Sequence, residues 1–252
     1  MTHEVFGEYG EYFDLLYGDK DYKREADYVS EVLARMGMTS GSILEFGSGT
    51  GRHGRMLAEV GFDVLGVDRS AAMVRMANTG QTVKGFSCQE GDIRSVRIGR
   101  EFAAVTALFH VLSYQVTNSD LLSVFRNARA HLGPGGIFVF DFWYGPAVHA
   151  LTPTVREKRI EGEDLLVTRV SKPIWDVQRN VVEVHFAIRV EDKKSHRVRE
   201  FSEVHPMRYF SLPELDLLAE YTGFKREIAE EFLTREAPSN QTWGVCAALR
   251  AQ

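Results

Sequence analysis

A short apolar run that leads straight into three glycines at alternate positions, ILEFGSGTGRHG over residues 43–54, restricts the fold of this chain more than any other segment. Glycine is required where backbone must turn with positive φ or lie against a ligand, and the first turn of a helix leaves N–H groups without partners. The segment therefore predicts a buried strand, a tight turn and a helix whose N-terminus faces a ligand. The flanking pattern extends this unit. Residues 21–36 carry apolar side chains at helical spacing, 42–46 read as a strand, 52–60 as a helix, 62–67 as a strand, and 70–78 as a helix with Ser70 as N-cap. A weaker strand follows near 83–88, then a strand at 102–109, a helix at 119–131, the turn Gly133-Pro134-Gly135-Gly136 and a strand from Ile137. Five strand-then-helix units in a row imply an α/β fold, a Rossmann-like doubly wound sheet covered on both faces.

After Pro146 the rhythm changes to period two, and about 155–210 read as antiparallel strands inserted over the active site. Ser211 to Tyr221 returns to helix, and 225–232 and 243–249 close the chain as two strands, the last of them antiparallel. The expected organisation is one domain: an N-terminal helical cap (1–40), an α/β core (41–150), a β-rich insertion (151–210), and a final helix with closing strands (211–252).

Composition narrows the class. Among 252 residues, 30 Lys and Arg against 35 Asp and Glu give a net charge of −5, which argues against a general nucleic-acid binder. Cys88 and Cys246 are too few for a four-cysteine metal site. No run approaches the ~18 apolar residues of a membrane span, and the first residues lack a signal-peptide layout. A soluble cytoplasmic enzyme, monomeric or homodimeric, is the expectation. Gly49, Gly51 and Gly54 match the dinucleotide spacing G-x-G-x-x-G, with Asp68 19 residues beyond Gly49. The residue directly after the strand is Gly47, however, which puts the others out of register. Glu45 would oppose a pyrophosphate but suits a cationic ligand such as S-adenosylmethionine, which offers a sulfonium and an ammonium. A carboxylate paired with an arginine at the core edge is the other reading of Glu45, and an N-cap is the other reading of Asp68.

In order and spacing, the strand–GxGxG–helix unit, GVDRS with Asp68, the Gly91-Asp92-Ile93 step and the GPGG turn before IFVFDF resemble the class I S-adenosylmethionine-dependent methyltransferases over the full length. The resemblance implies that Glu45, Gly47, Gly49 and Gly51 hold the methionine part, Asp68 the ribose, and Asp92 with Ile93 the adenine. Arg69 and Leu108 join this cofactor set, and Met73 is either a lid on the adenine or a core residue. The outer segments 9–26, 182–186 and 201–210 and the closing strands are similar to N-methyltransferases of nucleotide-linked amino sugars, as in the desosamine and mycaminose pathways. That similarity implies that Tyr17 and Tyr22 close over the cofactor and that His205 projects towards the acceptor. The chain departs from those enzymes at FHVLSY (109–114), where His110 replaces a small polar residue, and at FWYGP (142–146).

Methyl transfer is an in-line displacement that needs alignment rather than a metal or a covalent nucleophile. An ammonium must first lose a proton, so His110, Tyr114 and His205 are the candidate catalytic residues. Simple hydrogen bonding for His110, packing for Tyr114 and a solvated strand face for His205 are the plainer readings. Tyr9, Trp143, Glu203 and Arg208 are the candidate acceptor contacts, and Phe6, Tyr12, Phe13 and Tyr144 add aromatic surface. Arg208, Arg169 and Lys172 are where an anionic nucleotide would find positive charge. His53, His131, His149, His185 and His196 show no ligand spacing and receive no chemistry. The acceptor expected is the amino group of a nucleotide-linked amino sugar. O-methylation of a small metabolite, a nicotinamide-dependent reductase and a non-catalytic cofactor-binding protein are the alternatives.

Overall fold

The computed structural model describes residues 8–79 and 82–252; Phe6 lies outside them. A 3₁₀ turn at Glu8–Tyr12 and the short helix α1 (Phe13–Leu16) precede α2 (Tyr22–Arg35). The alternating core follows: β1 (Gly41–Phe46), α3 (Arg52–Glu59), β2 (Phe62–Asp68), α4 (Ala71–Thr79), β3 (Phe86–Glu90), β4 (Phe102–Ala107), α5 (Asn118–Ala130), β5 (Leu132–Tyr144) and α6 (Gly145–Leu151). The strands β6 (Arg156–Glu161), β7 (Leu165–Asp176), β8 (Val181–Asp192) and β9 (Val198–Phe210) lead to α7 (Leu212–Tyr221), β10 (Phe224–Glu231) and β11 (Gly244–Ala251). Helix starts follow the local chemistry. The side chains of Asp21, Thr117 and Ser211 accept backbone N–H groups in the first turns of α2, α5 and α7.

The parallel strands run in the order β3-β2-β1-β4-β5. Antiparallel β11 pairs with β5, and β10 pairs with β11. The strands β6 to β9 form an antiparallel meander whose last member joins β5 in parallel through Trp143↔Tyr209 and Tyr144↔Phe210. Side chains alternate across the core sheet. Leu44, Phe138 and Phe140 pack with Phe125 of α5 and Leu215 of α7. Ile43, Val139 and Ala248 pack with Val29 and Leu33 of α2 and Leu57 of α3.

Four local expectations are corrected. No helix follows β3, so four strand-then-helix units are present rather than five. Residues 91–101 are instead a loop in which Asp92 O accepts from Ser95 N and Val96 N. The third strand starts at Phe86, not near 83, because the chain first turns through Gly85 at φ 89°. The fourth strand stops at Ala107, because Phe109 and His110 adopt left-handed backbone (φ 65° and 62°). The Gly-Pro-Gly-Gly turn is absorbed into β5 as a register shift against β4.

Phe125 is fully buried and meets Phe138, Phe140 and Phe224 at centroid distances of 5.4, 5.6 and 6.4 Å. Phe125→Ala is expected to cost about 3–5 kcal/mol of unfolding free energy, read from urea denaturation midpoints.

Candidate functional site

The turn after β1 places Gly47, Gly49 and Gly51 at φ 67°, 55° and 75°. Their roles differ. A Cβ on Gly51 would sit 2.4 Å from Phe86 Cζ, and one on Gly47 2.5 Å from Val111 Cγ2, whereas one on Gly49 would meet nothing within 4 Å. Gly47 and Gly51 therefore let the turn pack, and Gly49 leaves bare backbone facing open space. Gly49 N donates to Asp68 Oδ2 (2.9 Å), and Ser70 N donates to Asp68 Oδ1 (2.9 Å). Asp68 thus both pins the turn and stands at the start of α4, each oxygen keeping a further lone pair. Burial raises its pKa, opposed by these backbone N–H groups.

This turn borders a cavity of ≈ 430 Å³. Of the candidate cofactor residues, Tyr22, Gly47, Gly49, Asp68, Arg69, Met73, Asp92, Ile93 and Leu108 line it. Asp92 is fixed by Arg94, whose Nε lies 2.9 Å from Oδ1, and this pairing lowers its pKa despite the opposing effect of burial. The Tyr22 hydroxyl is buried and has no partner among the described residues, so a polar ligand group has a donor and acceptor waiting there. Gly51, Glu45 and Tyr17 are not on the cavity wall. Glu45 is 2% exposed and lies behind the turn, where Ser48 Oγ donates to Oε2 at 2.5 Å, and burial raises its pKa. Its carboxylate reaches the turn through Ser48, which does line the cavity. Tyr17 instead packs on Phe109 (5.1 Å) and accepts from Arg169 (3.0 Å).

The candidate catalytic residues separate. Tyr114 lines the cavity, and its hydroxyl is 2.9 Å from His205 Nδ1. His205 is 2% exposed, and its Nε2 lies 3.3 Å from Glu203 Oε2. Glu203 Oε1 accepts the backbone N–H of Tyr9 (2.9 Å). Tyr9 is wholly buried, stacks on Phe186 at 5.3 Å and accepts from Arg169 at 2.6 Å. His205 is therefore an interior residue, not part of a solvated strand face. Burial lifts the Tyr114 phenol well above 10 and lowers the His205 pKa below 6.5, with Glu203 opposing the latter shift. Both side chains are accordingly neutral near pH 7.

His110 turns away from the cavity wall. Its Nδ1 lies 2.7 Å from Asp141 Oδ2, and its backbone N–H donates to Oδ1 at 3.1 Å. Trp143 stands beside it (6.2 Å) and against Trp243 (5.3 Å). Arg208 pairs with Glu214 at 2.5 Å and lies over Phe210. Arg169 ends on tyrosine hydroxyls, and Lys172 has the opposite parity on β7. The three cations sought for an anionic nucleotide do not form one patch. Sequence reasoning missed a group at the other end of the cavity. His53 lines it and lies 2.7 Å from Glu25 Oε2, while Lys20 pairs with Glu25 and approaches His53 at 3.4 Å. These residues come from three segments, so spacing along the chain carried no sign of the cluster.

The family described as "Methyltransferase domain" matches residues 43–136. The chain is 30% identical over 220 residues to the dTDP-3-amino-3,6-dideoxy-alpha-D-glucopyranose N,N-dimethyltransferase of Streptomyces fradiae, covering 84% of this chain and 85% of that protein. It is 28% identical over 225 residues to the dTDP-3-amino-3,4,6-trideoxy-alpha-D-glucopyranose N,N-dimethyltransferase of Streptomyces venezuelae, covering 88% of this chain and 92% of the relative. The crystal structure of Streptomyces venezuelae DesVI superposes with a TM-score of 0.79 at 25% identity, covering 97% of this chain and 99% of that one.

The glycines give a direct check of this geometry. Gly51→Ala should destabilise the fold by about 1–3 kcal/mol through overpacking against Phe86. Gly49→Ala should cost about 1–2 kcal/mol of backbone strain and should in addition weaken binding of whatever ligand lies against the turn. Thermal unfolding with and without ligand separates the two effects.

Proposed function

This chain belongs to the S-adenosylmethionine-dependent N-methyltransferases of nucleotide-linked amino sugars, and on that premise we propose that it methylates the amine of such a sugar at the Tyr114 end of the cavity. The observation that carries the reading is that Tyr114 both lines the cavity and bonds to a buried histidine backed by a carboxylate.

S-adenosylmethionine supplies, when bound, a methyl group on a positively charged sulfur, open to attack by an amine lone pair. Asp68 and Asp92 are the acceptors for the ribose hydroxyls and the adenine amino group, with Ile93, Leu108 and Met73 as apolar walls. Arg52, His53 and the Tyr22 hydroxyl serve the polar methionine end, where Lys20 and Glu25 fix the His53 ring. The unpartnered Tyr22 hydroxyl and the bare backbone at Gly49, both on the cavity wall, support this fit.

An acceptor arriving as ammonium must give up a proton before attack. The Tyr114 oxygen accepts a hydrogen bond from the amine while its own O–H donates to His205 Nδ1. His205 is neutral, with Nε2–H directed at Glu203, so Nδ1 holds the lone pair. One proton moves from the amine to the phenol oxygen as the phenol proton passes to Nδ1, leaving an imidazolium beside the Glu203 carboxylate. Tyr114 and His205 would thereby leave the amine lone pair free, and bound S-adenosylmethionine would supply the methyl, its C–S bond breaking as the N–C bond forms so that S-adenosylhomocysteine is left. Tyr9 and Arg169 hold Glu203 and Tyr17 in place around this path, which makes them positioning residues.

Three outcomes are expected. Asp68→Ala should weaken S-adenosylhomocysteine binding by about 1.5–3 kcal/mol in calorimetry. Tyr114→Phe should lower kcat by about 10²-fold with cofactor affinity nearly unchanged. Burial lowers the pKa of His205, so the neutral form persists below the ordinary value of 6.5 and is lost only at lower pH. The acidic limb of kcat should therefore lie below 6.5 and vanish in His205→Gln. A wild-type protein that methylates an alcohol acceptor but not its amine analogue would refute the amine reading.

A further inference from the structure

Arg169 of β7 is a half-buried cation with no carboxylate to meet it among the described residues. Its Nη1 donates to the hydroxyls of Tyr9 (2.6 Å) and Tyr17 (3.0 Å), and its Nε is buried without a hydrogen-bond partner. These phenols supply oxygen without negative charge; burial pushes the Tyr9 phenol far above 10. An ion removed from water and held by neutral groups keeps much of its field, because no counter-ion cancels it.

That field falls on His205. The pairs Ser171↔Phe186 and Phe186↔Glu203 put Arg169, Phe186, Glu203 and His205 on one face of the meander. The guanidinium lies over the Phe186 ring at 4.8 Å, and that ring lies 4.7 Å from the imidazole. Tyr9, which the guanidinium holds by its hydroxyl, stands 5.3 Å from the same imidazole. A single layer of aromatic rings therefore separates the cation from His205.

Among the described residues, four polar groups act on the imidazole. They are Glu203 on its own strand, Tyr114 from the 3₁₀ turn after β4, Tyr9 from the N-terminal turn, and Arg169 from β7. Burial lowers the His205 pKa, Glu203 raises it and Arg169 lowers it. With Glu203 unopposed, the ring would be drawn towards imidazolium, whose Nδ1 carries a proton and cannot accept another.

We propose that Arg169 is a positioning residue that works through its charge, holding His205 neutral against the pull of Glu203 so that Nδ1 is free to take the Tyr114 proton. The proposal rests on the Tyr114–His205 relay above and adds to it the group that keeps the relay open in mildly acidic conditions.

The test compares Arg169→Gln, which keeps a donor for the tyrosine hydroxyls but no charge, with Arg169→Lys, which keeps the charge. His205 is titrated by NMR in protein labelled at histidine Cε1, its signal assigned by its loss in His205→Gln. In parallel, kcat is followed against pH with an amino-sugar nucleotide. Arg169→Gln should raise the His205 midpoint and the acidic limb of kcat together by about one pH unit. Arg169→Lys should return both towards the wild-type position. A midpoint that stays in place in Arg169→Gln, or rises equally in Arg169→Lys, would overturn the proposal. Should Arg169→Gln fail to fold, Arg169→Met, which keeps an unbranched stem against Phe186, reads the same midpoint. A midpoint that rises while the limb of kcat stays would refute the relay reading, and with it a role for Arg169 in turnover, while the effect of its charge on His205 stands.

Discussion

The last two residues of β5 decide how the rest of the molecule is arranged. Trp143 pairs with Gly244 of β11 and also with Tyr209 of β9, and Tyr144 pairs with Phe210. Parallel β4 stops at Ala107↔Phe140, so β5 runs past it and leaves backbone donors and acceptors at that edge, and these must be satisfied. In this chain they seat the inserted meander. The insertion is thereby hung on the core at the carboxyl edge of the parallel strands, where ligands collect. His205, four residues before Tyr209, is carried to Tyr114 by that register alone.

A two-residue junction would leave the meander poorly anchored, and the N-terminal segment supplies the second attachment. Asp14 accepts from Thr50 Oγ1 and pairs with Arg52 beside the glycine turn. On the other side, Lys158 donates to Leu16 O, and Glu203 accepts from Tyr9 N. Tyr9, Phe13, Leu16 and Met73 share an apolar cluster with Val167, Ile188 and Val190 of the meander. The same short stretch therefore touches the glycine turn, Met73 of α4 and the Glu203 carboxylate. Each contact is modest, but together they couple the two halves of the cavity, because removing the segment would leave the buried Glu203 without one of its donors.

What the sequence disclosed and what it hid follow from how local each signal is. The turn at Gly47, Gly49 and Gly51, the carboxylates of Asp68 and Asp92, and the helix that starts after Ser211 depend on neighbours within a few residues, and the pattern of residue types reveals them. The Lys20–Glu25–His53 cluster depends on α2 and α3 packing face to face, and Glu203–His205–Tyr114 on the pairing of β5 with β9. His53, which lacks any ligand spacing, is a cavity residue for that reason. Arg169, Lys172 and Arg208 looked like one basic patch because they are all cations on the insertion. Strand parity and local partners divide them instead, since Arg169 is taken up by tyrosines and Arg208 by Glu214. The missing helix after β3 has a similar cause, as an Asp92-centred turn and Gly99 at φ 76° hold residues 91–101 in a loop.

His110 and Tyr114 show why four residues of separation do not mean one site. A regular continuation of β4 would alternate Leu108, Phe109 and His110 across the sheet. Left-handed backbone at Phe109 and His110 breaks this alternation and hands His110 to Asp141, which lies on the same face as Val139 in the α2 cluster. The 3₁₀ turn Val111–Tyr114 then brings Tyr114 back to the cavity. Left-handed conformation costs roughly 1–2 kcal/mol for a residue with a Cβ, and a charge-assisted hydrogen bond from His110 N to buried Asp141 is of comparable size, about 1.5–3 kcal/mol. The carboxylate therefore offsets much of the strain at this loop. Replacing Asp141 with an apolar side chain would leave both the turn and the histidine unsupported, which ties the backbone geometry at the end of β4 to the chemistry on either side of Phe109.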